Sequence, residues 1–394
     1  MKCSRSADSS VETGGTPRIL IIKPSSLGDV VHALPVLAAL RRSYPRAHLA
    51  WLIGSSFASL LTGHPLLDEL ILFDRRRFGR MWQSPRILVE FARFAWNLRQ
   101  QRFDLVLDLQ GLFRSGLLAW LCGARRRVGF ADAREFAWAF YTQRVRSRPD
   151  GTHRRGVGDQ HAVDKNLALV RALGLEADEP AFPLGLRASE LAAAAELLGT
   201  AGIAPNRFIA LIPGARWESK RWPAERFATL VGLLARERQG GDGGRTTDCV
   251  LLGGPDDRTW AEQIAAAAGP GLVNLVGRTT LRELAAILAL AELVICCDSG
   301  PMHIAAALDR PLVAIFGPTN PRRTGPYAKR ARVVALPLSC APCYRRHCPL
   351  GHHACLRELD EAAVLREVRE LRRTPLSASA DACKSRPGAE VPTR

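Results

Sequence analysis

The chain has 394 residues, a formal net charge of +17 and 47% hydrophobic residues. This length exceeds a single hydrophobic core and predicts two domains of about 150–200 residues each. No run reaches the ~18 apolar residues that cross a bilayer, and the polar start at 1–17 lacks the apolar segment of a secretory signal. We therefore expect a cytoplasmic protein. Its positive charge favours anionic partners, namely phosphorylated substrates, an anionic membrane surface or nucleic acid.

The first half of the chain alternates short apolar runs with segments of helical spacing. Ile19–Ile22 is an unbroken apolar run that predicts a buried parallel strand, and Val30–Arg42 has the spacing of a helix. Strands and helices alternate in the same way up to residue 186, which predicts a doubly wound α/β domain at 18–186. A disordered tail at 1–17 is expected to precede this domain. Further strands are predicted at His48–Gly54, Leu70–Phe73, Leu105–Leu109 and Arg127–Phe130, and helices at Pro85–Gln100, Leu112–Cys122 and His161–Leu173.

The second half repeats this alternation and predicts another Rossmann-like domain at 187–373. Two such domains facing a central cleft suit a transfer reaction between two substrates. The Ser/Ala/Pro-rich end at 374–394 predicts a disordered tail. Strands are predicted at Phe208–Ile212, Cys249–Leu252, Leu272–Leu275, Leu293–Cys296 and Leu312–Phe316, and helices at Ser189–Leu198, Leu281–Leu290 and Glu361–Arg372.

A carboxylate, Asp29, lies at the turn after the first strand, next to Ser25, Ser26 and Gly28. In an open α/β sheet this turn lies at the carboxyl edge, where such folds bind ligands. Asp29 is therefore a candidate catalytic acid or base. The alternative is that it only caps the following helix by accepting hydrogen bonds from free N–H groups.

Three loops of the second half have the residue types that bind a nucleoside diphosphate. Ser299 and Gly300 open a helix, where small residues and free N–H groups admit a phosphate. Lys220 supplies a cation near another helix start, and Asp257 offers a carboxylate to a ribose hydroxyl. Residues of these loops also have structural alternatives. Asp298, just before Ser299, can be a helix cap, Lys220 a solvated charge, and Trp222, two residues after Lys220, a packing residue. The sequence contains no Asp-x-Asp motif, which a metal-dependent transferase would use to hold a cation.

Five parts of the chain form an ordered set of motifs across the two predicted domains. They are Ser25–His32, Phe103–Gly111, Lys220–Pro223, Asp298–His303 with Ala305–Pro311, and Phe316–Asn320. Taken together they resemble glycosyltransferase family 9, the ADP-heptose:lipopolysaccharide heptosyltransferases. The resemblance runs from about Arg18 to Arg372 and implies the GT-B fold, with the acceptor on the first domain and the nucleotide sugar on the second. It also implies an inverting transfer without a catalytic metal or other cofactor.

The resemblance also assigns roles to residues. Asp29 matches the catalytic aspartate, Lys220 the residue at the diphosphate and Asp257 the acid near the ribose. The loop at the nucleotide matches Asp298, Ser299, Gly300 and His303, and the acceptor side matches Ser25, Ser26, His32, Arg134 and His161. The loop Pro213–Lys220 mixes features of different family members, so the donor sugar and the acceptor position stay open.

The sequence departs from the family at a cysteine cluster, Cys340-x2-Cys343-x4-Cys348-x6-Cys355. A Cys-x-x-Cys hook followed by two more cysteines is typical of a structural zinc site. The alternative is a surface loop with four reduced or partly disulfide-bonded thiols. In both cases we expect a structural role.

These patterns predict an enzyme that transfers heptose from ADP-heptose to a lipopolysaccharide-core acceptor of the lipid A–Kdo type, or to a related glycolipid. One alternative is a GT-B transferase for another ADP- or UDP-sugar, and a second is a non-catalytic protein that binds nucleotide sugars or nucleic acid. No nucleic-acid motif is present, so nucleic acid is not the expected partner. The basic, aromatic stretch from Arg75 through Arg102 suits the anionic surface of the inner membrane, or else is a solvated helix packed on the core.

Overall fold

A computed structural model of the protein describes residues 16–147, 160–240, 248–269 and 271–373. The predicted tails, apart from residues 16 and 17, lie outside these ranges.

The first domain is built on a six-stranded parallel sheet of strand order β3-β2-β1-β4-β5-β6. This is the order of a doubly wound dinucleotide-binding sheet, and it confirms the predicted α/β class. Its strands are β1 (Arg18–Ile22), β2 (His48–Gly54), β3 (Glu69–Phe73), β4 (Leu105–Asp108), β5 (Arg126–Phe130) and β6 (Gln143–Val145). Its helices are α1 (Leu27–Val31), α2 (Leu34–Ser43), α3 (Ala58–Leu61), α4 (Arg75–Phe78), α5 (Pro85–Gln100), α6 (Phe113–Leu121) and α7 (Ala162–Arg171).

The second domain repeats the arrangement with a parallel sheet of order β12-β11-β10-β7-β8-β9. Its strands are β7 (Phe208–Ile212), β8 (Asp248–Leu251), β9 (Leu272–Asn274), β10 (Leu293–Cys297), β11 (Leu312–Ile315) and β12 (Ala331–Val334). Its helices are α8 (Ala188–Thr200), α9 (Ala224–Gly240), α10 (Arg258–Ala268), α11 (Leu281–Ala289), α12 (Gly300–Ala307), α13 (Pro321–Thr324), α14 (Ala354–Arg357) and α15 (Glu361–Arg373).

The first predicted helix is wrong in one respect, because Val30–Arg42 is divided between α1 and α2. The break falls at His32 and Ala33, ahead of Pro35 in the first turn of α2. Proline lacks an N–H and its ring clashes with the carbonyl four residues earlier, so one helix cannot run through. The edge strands β6 and β12 were not predicted, since both are short and only partly apolar.

The two domains pack directly on each other, and one apolar core cluster includes residues of both. Arg282 of α11 lies at this interface. Its guanidinium donates to the carbonyls of Leu60 (3.1 Å), Leu184 (2.7 Å) and Gly185, and pairs with Glu190 at 2.7 Å. These bonds hold the second domain to α3 and to the chain entering α8. The domain boundary at 186/187 stays a prediction.

Candidate active site

Asp29 lies in the first turn of α1, at the carboxyl edge of the first sheet. Its Oδ2 accepts hydrogen bonds from the Ser26 backbone N–H at 2.9 Å and from the Ser26 hydroxyl at 2.7 Å. Ser26 is the helix cap and Asp29 the third helical residue, so the capping alternative was wrong about which residue caps the helix. Because the Asp29 side chain is still 43% exposed, it can bind the helix start and face a substrate together.

Sequence reasoning missed Lys23, which directly follows β1. Its Nζ lies 4.0 Å from Asp29 Oδ1 and donates to the Leu109 carbonyl at 2.8 Å. Burial would by itself raise the pKa of Asp29, but Lys23 and the Ser26 hydrogen bonds outweigh it and lower the pKa below its ordinary value. Burial also lowers the pKa of Lys23, against the opposing pull of Asp29. The sequence shows only that Lys23 follows a buried strand, and this position does not by itself indicate that the lysine is buried beside Asp29.

Three predicted histidines meet where the domains touch. His32 Nε2 lies 3.0 Å from His303 Nδ1, and the rings of His32 and His161 are 5.2 Å apart. His161 Nε2 lies 3.1 Å from the Gly325 carbonyl of the second domain, and Asn166 donates to the His32 carbonyl at 3.0 Å. The predicted acceptor-side residue His32 therefore contacts the predicted donor-side residue His303, and His161 contacts His32 and the second domain at Gly325.

The buried histidines make stability depend on pH. Burial lowers the pKa of His303 to about 4 and also lowers those of His32 and His161. The unfolded chain binds these protons near pH 6.5 and the folded chain does not, so the free energy of unfolding should fall as the pH drops from about 6.5 to about 4. Urea unfolding across this range checks it: His303→Gln should flatten the slope by up to about 1.4 kcal/mol per pH unit. Identical slopes for the two proteins would contradict this assignment.

Lys220 and Asp298 form an ion pair on the donor side, with 2.6 Å between Nζ and Oδ2. Asp298 also accepts from the Thr319 hydroxyl at 2.5 Å, and Lys220 Nζ lies 4.7 Å from the centre of the Trp217 ring. Asp298 is therefore not the cap of α12, a position that Ser299 occupies. Lys220 lies in the loop that follows β7, and Asp298 directly follows β10. Because β7 and β10 are neighbouring parallel strands, both loops lie at the same edge of the sheet, and this brings the two side chains together.

The N-terminus of α12 carries an unsatisfied polar atom. Ser299 Oγ is buried and has no hydrogen-bond partner among the described residues. Gly300 follows, and a Cβ there would come within 2.7 Å of Leu27 in the first domain. A Cβ on Gly28 would likewise lie 2.4 Å from the His303 ring. Glycine at both positions lets α1 and the start of α12 approach closely, which brings Asp29 and the donor loop to one cleft.

Asp257 lies at a neighbouring loop, after β8. Its Oδ2 accepts from the Gly254 N–H at 3.1 Å and its Oδ1 lies 3.5 Å from the Arg221 guanidinium. Burial raises the pKa of Asp257 despite these two groups. Trp222 is completely buried and donates to the Leu359 carbonyl at 3.0 Å, so its packing alternative is confirmed.

The remaining acceptor-side residues line the first domain. Arg134 is exposed, its backbone N–H donates to the Gly111 carbonyl, and its charge acts on Lys23. Ser25 is half-buried beside Ser26. Both are available to a ligand in the cleft, and their predicted roles stay predictions.

The predicted thiol cluster lies behind the donor loops. The side chains of Cys340, Cys343, Cys348 and Cys355 line one cavity together with Ser219 and Pro318. Across 16–147, 160–240, 248–269 and 271–373, no group of three or more His, Cys, Asp or Glu side chains has the arrangement of a preformed metal site.

Comparison with known proteins decides the family. The model of glycosyltransferase family 9 (heptosyltransferase) matches residues 91–354. Lipopolysaccharide heptosyltransferase 1 of Pseudomonas aeruginosa is 33% identical over 338 residues, which covers 84% of this chain and 87% of that protein. The chain belongs to glycosyltransferase family 9. It is therefore a glycosyltransferase, as the motifs predicted.

A solved structure and a second curated relative agree with this family membership. The structure of E. coli heptosyltransferase WaaC with ADP matches with a TM-score of 0.69 and 27% identity, covering 90% of this chain and 99% of that chain. Lipopolysaccharide heptosyltransferase 2 of Salmonella typhimurium is 27% identical over 371 residues, 90% of this chain and 98% of that protein. The predicted GT-B fold is confirmed. In the described ranges, no helix of this family member has the length and apolar character that a membrane span requires.

Proposed function

We propose that this protein transfers heptose from ADP-heptose to the lipopolysaccharide core, with inversion at the anomeric carbon and without a catalytic metal. The observation that carries the proposal is the close approach of α1 to α12, since a Cβ on Gly28 would touch the His303 ring. One base, Asp29, thereby faces a loop suited to a diphosphate. The relatives' names support a heptose donor. Both curated relatives described above are named lipopolysaccharide heptosyltransferases, and a solved structure of E. coli heptosyltransferase WaaC is described as being with ADP-2-deoxy-2-fluoro heptose.

Asp29 is proposed as the general base. It takes the proton of the acceptor hydroxyl while that oxygen forms a bond to the anomeric carbon and the bond from this carbon to the diphosphate breaks. The lowered pKa keeps Asp29 ionised at neutral pH, ready to accept the proton. Lys23, 4.0 Å away, favours the ionised carboxylate and fixes its position.

The leaving diphosphate needs positive charge and hydrogen-bond donors. Lys220 supplies the charge, and Asp298 with Thr319 holds its ammonium in place. Ser299 Oγ and the free N–H groups at the start of α12 supply the donors, in a position that the helix dipole favours for an anion. These groups can stabilise the developing charge without a metal ion.

The donor prediction can be tested by thermal stabilisation. A ligand that binds only the folded protein raises the free energy of unfolding, by about 2.7 kcal/mol at a ligand concentration of 100 times Kd. The melting temperature rises as a result. We expect ADP and ADP-heptose to stabilise the protein and UDP, GDP and CDP to leave the melting temperature unchanged. Stabilisation by UDP but not by ADP would contradict the heptose assignment and favour a UDP-sugar donor.

We also propose that the acceptor is reached at the cytoplasmic face of the inner membrane through the α4–α5 surface, defined as residues 75–96. Trp82 is 82% exposed, and Val89 and Trp96 of α5 are 58% and 62% exposed. Arg86 and Arg93 share the outward stripe of α5 with Val89 and Trp96. Exposed aromatic side chains among arginines suit an anionic lipid surface.

Vesicle binding tests the α4–α5 surface. Replacing Arg86 and Arg93 together by glutamine should weaken binding to anionic phospholipid vesicles by about 30-fold, since each basic residue contributes about 1 kcal/mol. The control is Arg42→Gln with Arg366→Gln, two exposed arginines of α2 and α15. Residues of α2 pack in a different core cluster from residues of α5, so Arg42 lies on the opposite face of the first sheet. Equal loss in both double variants would contradict the proposal.

A further inference from the structure

The segment between β12 and α15 carries four cysteines and little regular structure. α14 is its only helix in the described residues, and Cys340, Cys343, Cys348 and Cys355 are all partly exposed and free of disulfides. Residues 335–353 of this segment include no fully buried side chain, so this stretch needs another source of stability. Thiols that gather on such a loop are typical ligands of a metal ion.

The four thiols gather at one place. All four cysteines line a single cavity of about 20 Å³, and His353 lines it as well. The cavity therefore has the size of one water molecule or one ion, and four of the residues that line it are cysteines.

One further observation suits a bound thiolate. His353 Nε2 is buried and has no hydrogen-bond partner in the described part of the chain. A ring N–H at this position can donate to a cysteine sulfur bound to a metal. This observation is independent of the cysteine spacing.

We propose that Cys340, Cys343, Cys348 and Cys355 bind one zinc-type divalent ion as a structural tetrathiolate site. The sulfurs do not have the arrangement of a preformed site. Binding must therefore draw them to about 2.3 Å from the ion and order the loop in the same step, as in other small metal-binding segments. Four protein ligands leave no open position, so the site takes no part in the transfer itself.

The cysteine loop also contacts the proposed donor site, so a metal ion that orders the loop would affect donor binding as well. The Ser219 hydroxyl donates to the Arg345 carbonyl at 2.7 Å, and Ser219 directly precedes Lys220. The Tyr344 N–H donates to the Pro318 carbonyl at 2.8 Å, next to Thr319, which binds Asp298. Ordering the loop thus supports both partners of the Lys220–Asp298 pair. The metal site itself does not depend on which nucleotide sugar is used.

Metal analysis of the full chain tests the proposal. Protein purified without chelators or metal-affinity resin should contain about one zinc per chain by plasma mass spectrometry, and Cys343→Ser with Cys355→Ser should reduce it at least about tenfold. The control is Cys122→Ser in the first domain, whose thiol donates to the Ala119 carbonyl at 2.9 Å. It should keep the full metal content. Unchanged metal in the double variant would overturn the ligand assignment.

A second measurement uses the wild-type chain alone and does not depend on the folding of a variant. Removing the metal with a thiol-blocking mercurial and a chelator, then adding thiol and cobalt(II), should produce the thiolate-to-cobalt charge-transfer absorption that the zinc protein lacks. Wild-type protein without stoichiometric metal and without this absorption would overturn the proposal. Metal-free protein should also lose at least about half of its thermal stabilisation by ADP. Unchanged stabilisation by ADP would overturn the inference that the ordered loop supports the donor site.

Discussion

Replacing Asp29 by asparagine should lower the turnover number by about 10²–10⁴-fold, the usual contribution of a general base. Asparagine keeps the size of the side chain and can still accept the Ser26 N–H bond that Asp29 accepts at 2.9 Å. Donor binding should persist, because Asp29 lies on the opposite side of the cleft from Lys220. The measurement is kcat in a transfer assay, alongside thermal stabilisation by ADP.

A second carboxylate separates catalysis from helix capping. Asp74 caps α4 by accepting from the Arg77 N–H at 2.9 Å, at the end of β3 on the same sheet edge. Asp74→Asn should change stability by at most about 1 kcal/mol and leave kcat unchanged with a water-soluble acceptor. Wild-type turnover in Asp29→Asn, or equal loss in both variants, would remove Asp29 as the base.

Lys220→Met should lower kcat/KM by about 10²–10³-fold, as expected when one charged group at the leaving diphosphate is removed. It should also abolish the thermal stabilisation by ADP. Because Asp298 is only 6% exposed, losing its partner at 2.6 Å should destabilise the fold by about 3–5 kcal/mol. Steady-state kinetics and urea unfolding give both quantities.

A double variant distinguishes lost binding from lost stability. Adding Asp298→Asn to Lys220→Met removes the buried unpaired charge, so most of the stability should return while ADP binding stays lost. Lys329→Met, at an exposed lysine of the same domain, should match the wild type in both assays. The donor role of Lys220 would be wrong if the double variant regained ADP binding.

Much of the fold could be predicted because buried parallel strands leave a strong pattern. Strands such as Phe208–Ile212 are apolar throughout, since both faces of the sheet are covered. The strand Gln143–Val145 was missed because it is a three-residue edge strand with two polar residues. The division of the first helix was also missed, since Pro35 was counted within an apolar repeat instead of as the start of α2.

The site could be predicted only where one strand exit determines it. Asp29 and Ser299 follow from strand-to-helix turns, whose position at the sheet edge is a property of the fold. The pairing of Lys220 with Asp298 required knowing that β7 and β10 are neighbours. The His32–His303 contact depends on how the domains pack, which no local pattern encodes. Lys23 was missed because a lysine next to an apolar run gives no sign of its burial.

The most direct test is transfer itself. Purified protein, ADP-heptose and a lipid A–Kdo acceptor are combined in buffer with no added divalent metal, and ADP release and acceptor mass are followed together. The account predicts one ADP released for each heptose added to the acceptor, with inverted configuration at the new glycosidic bond by NMR. No transfer from ADP-heptose, together with transfer from a UDP-sugar to the same acceptor, would contradict it.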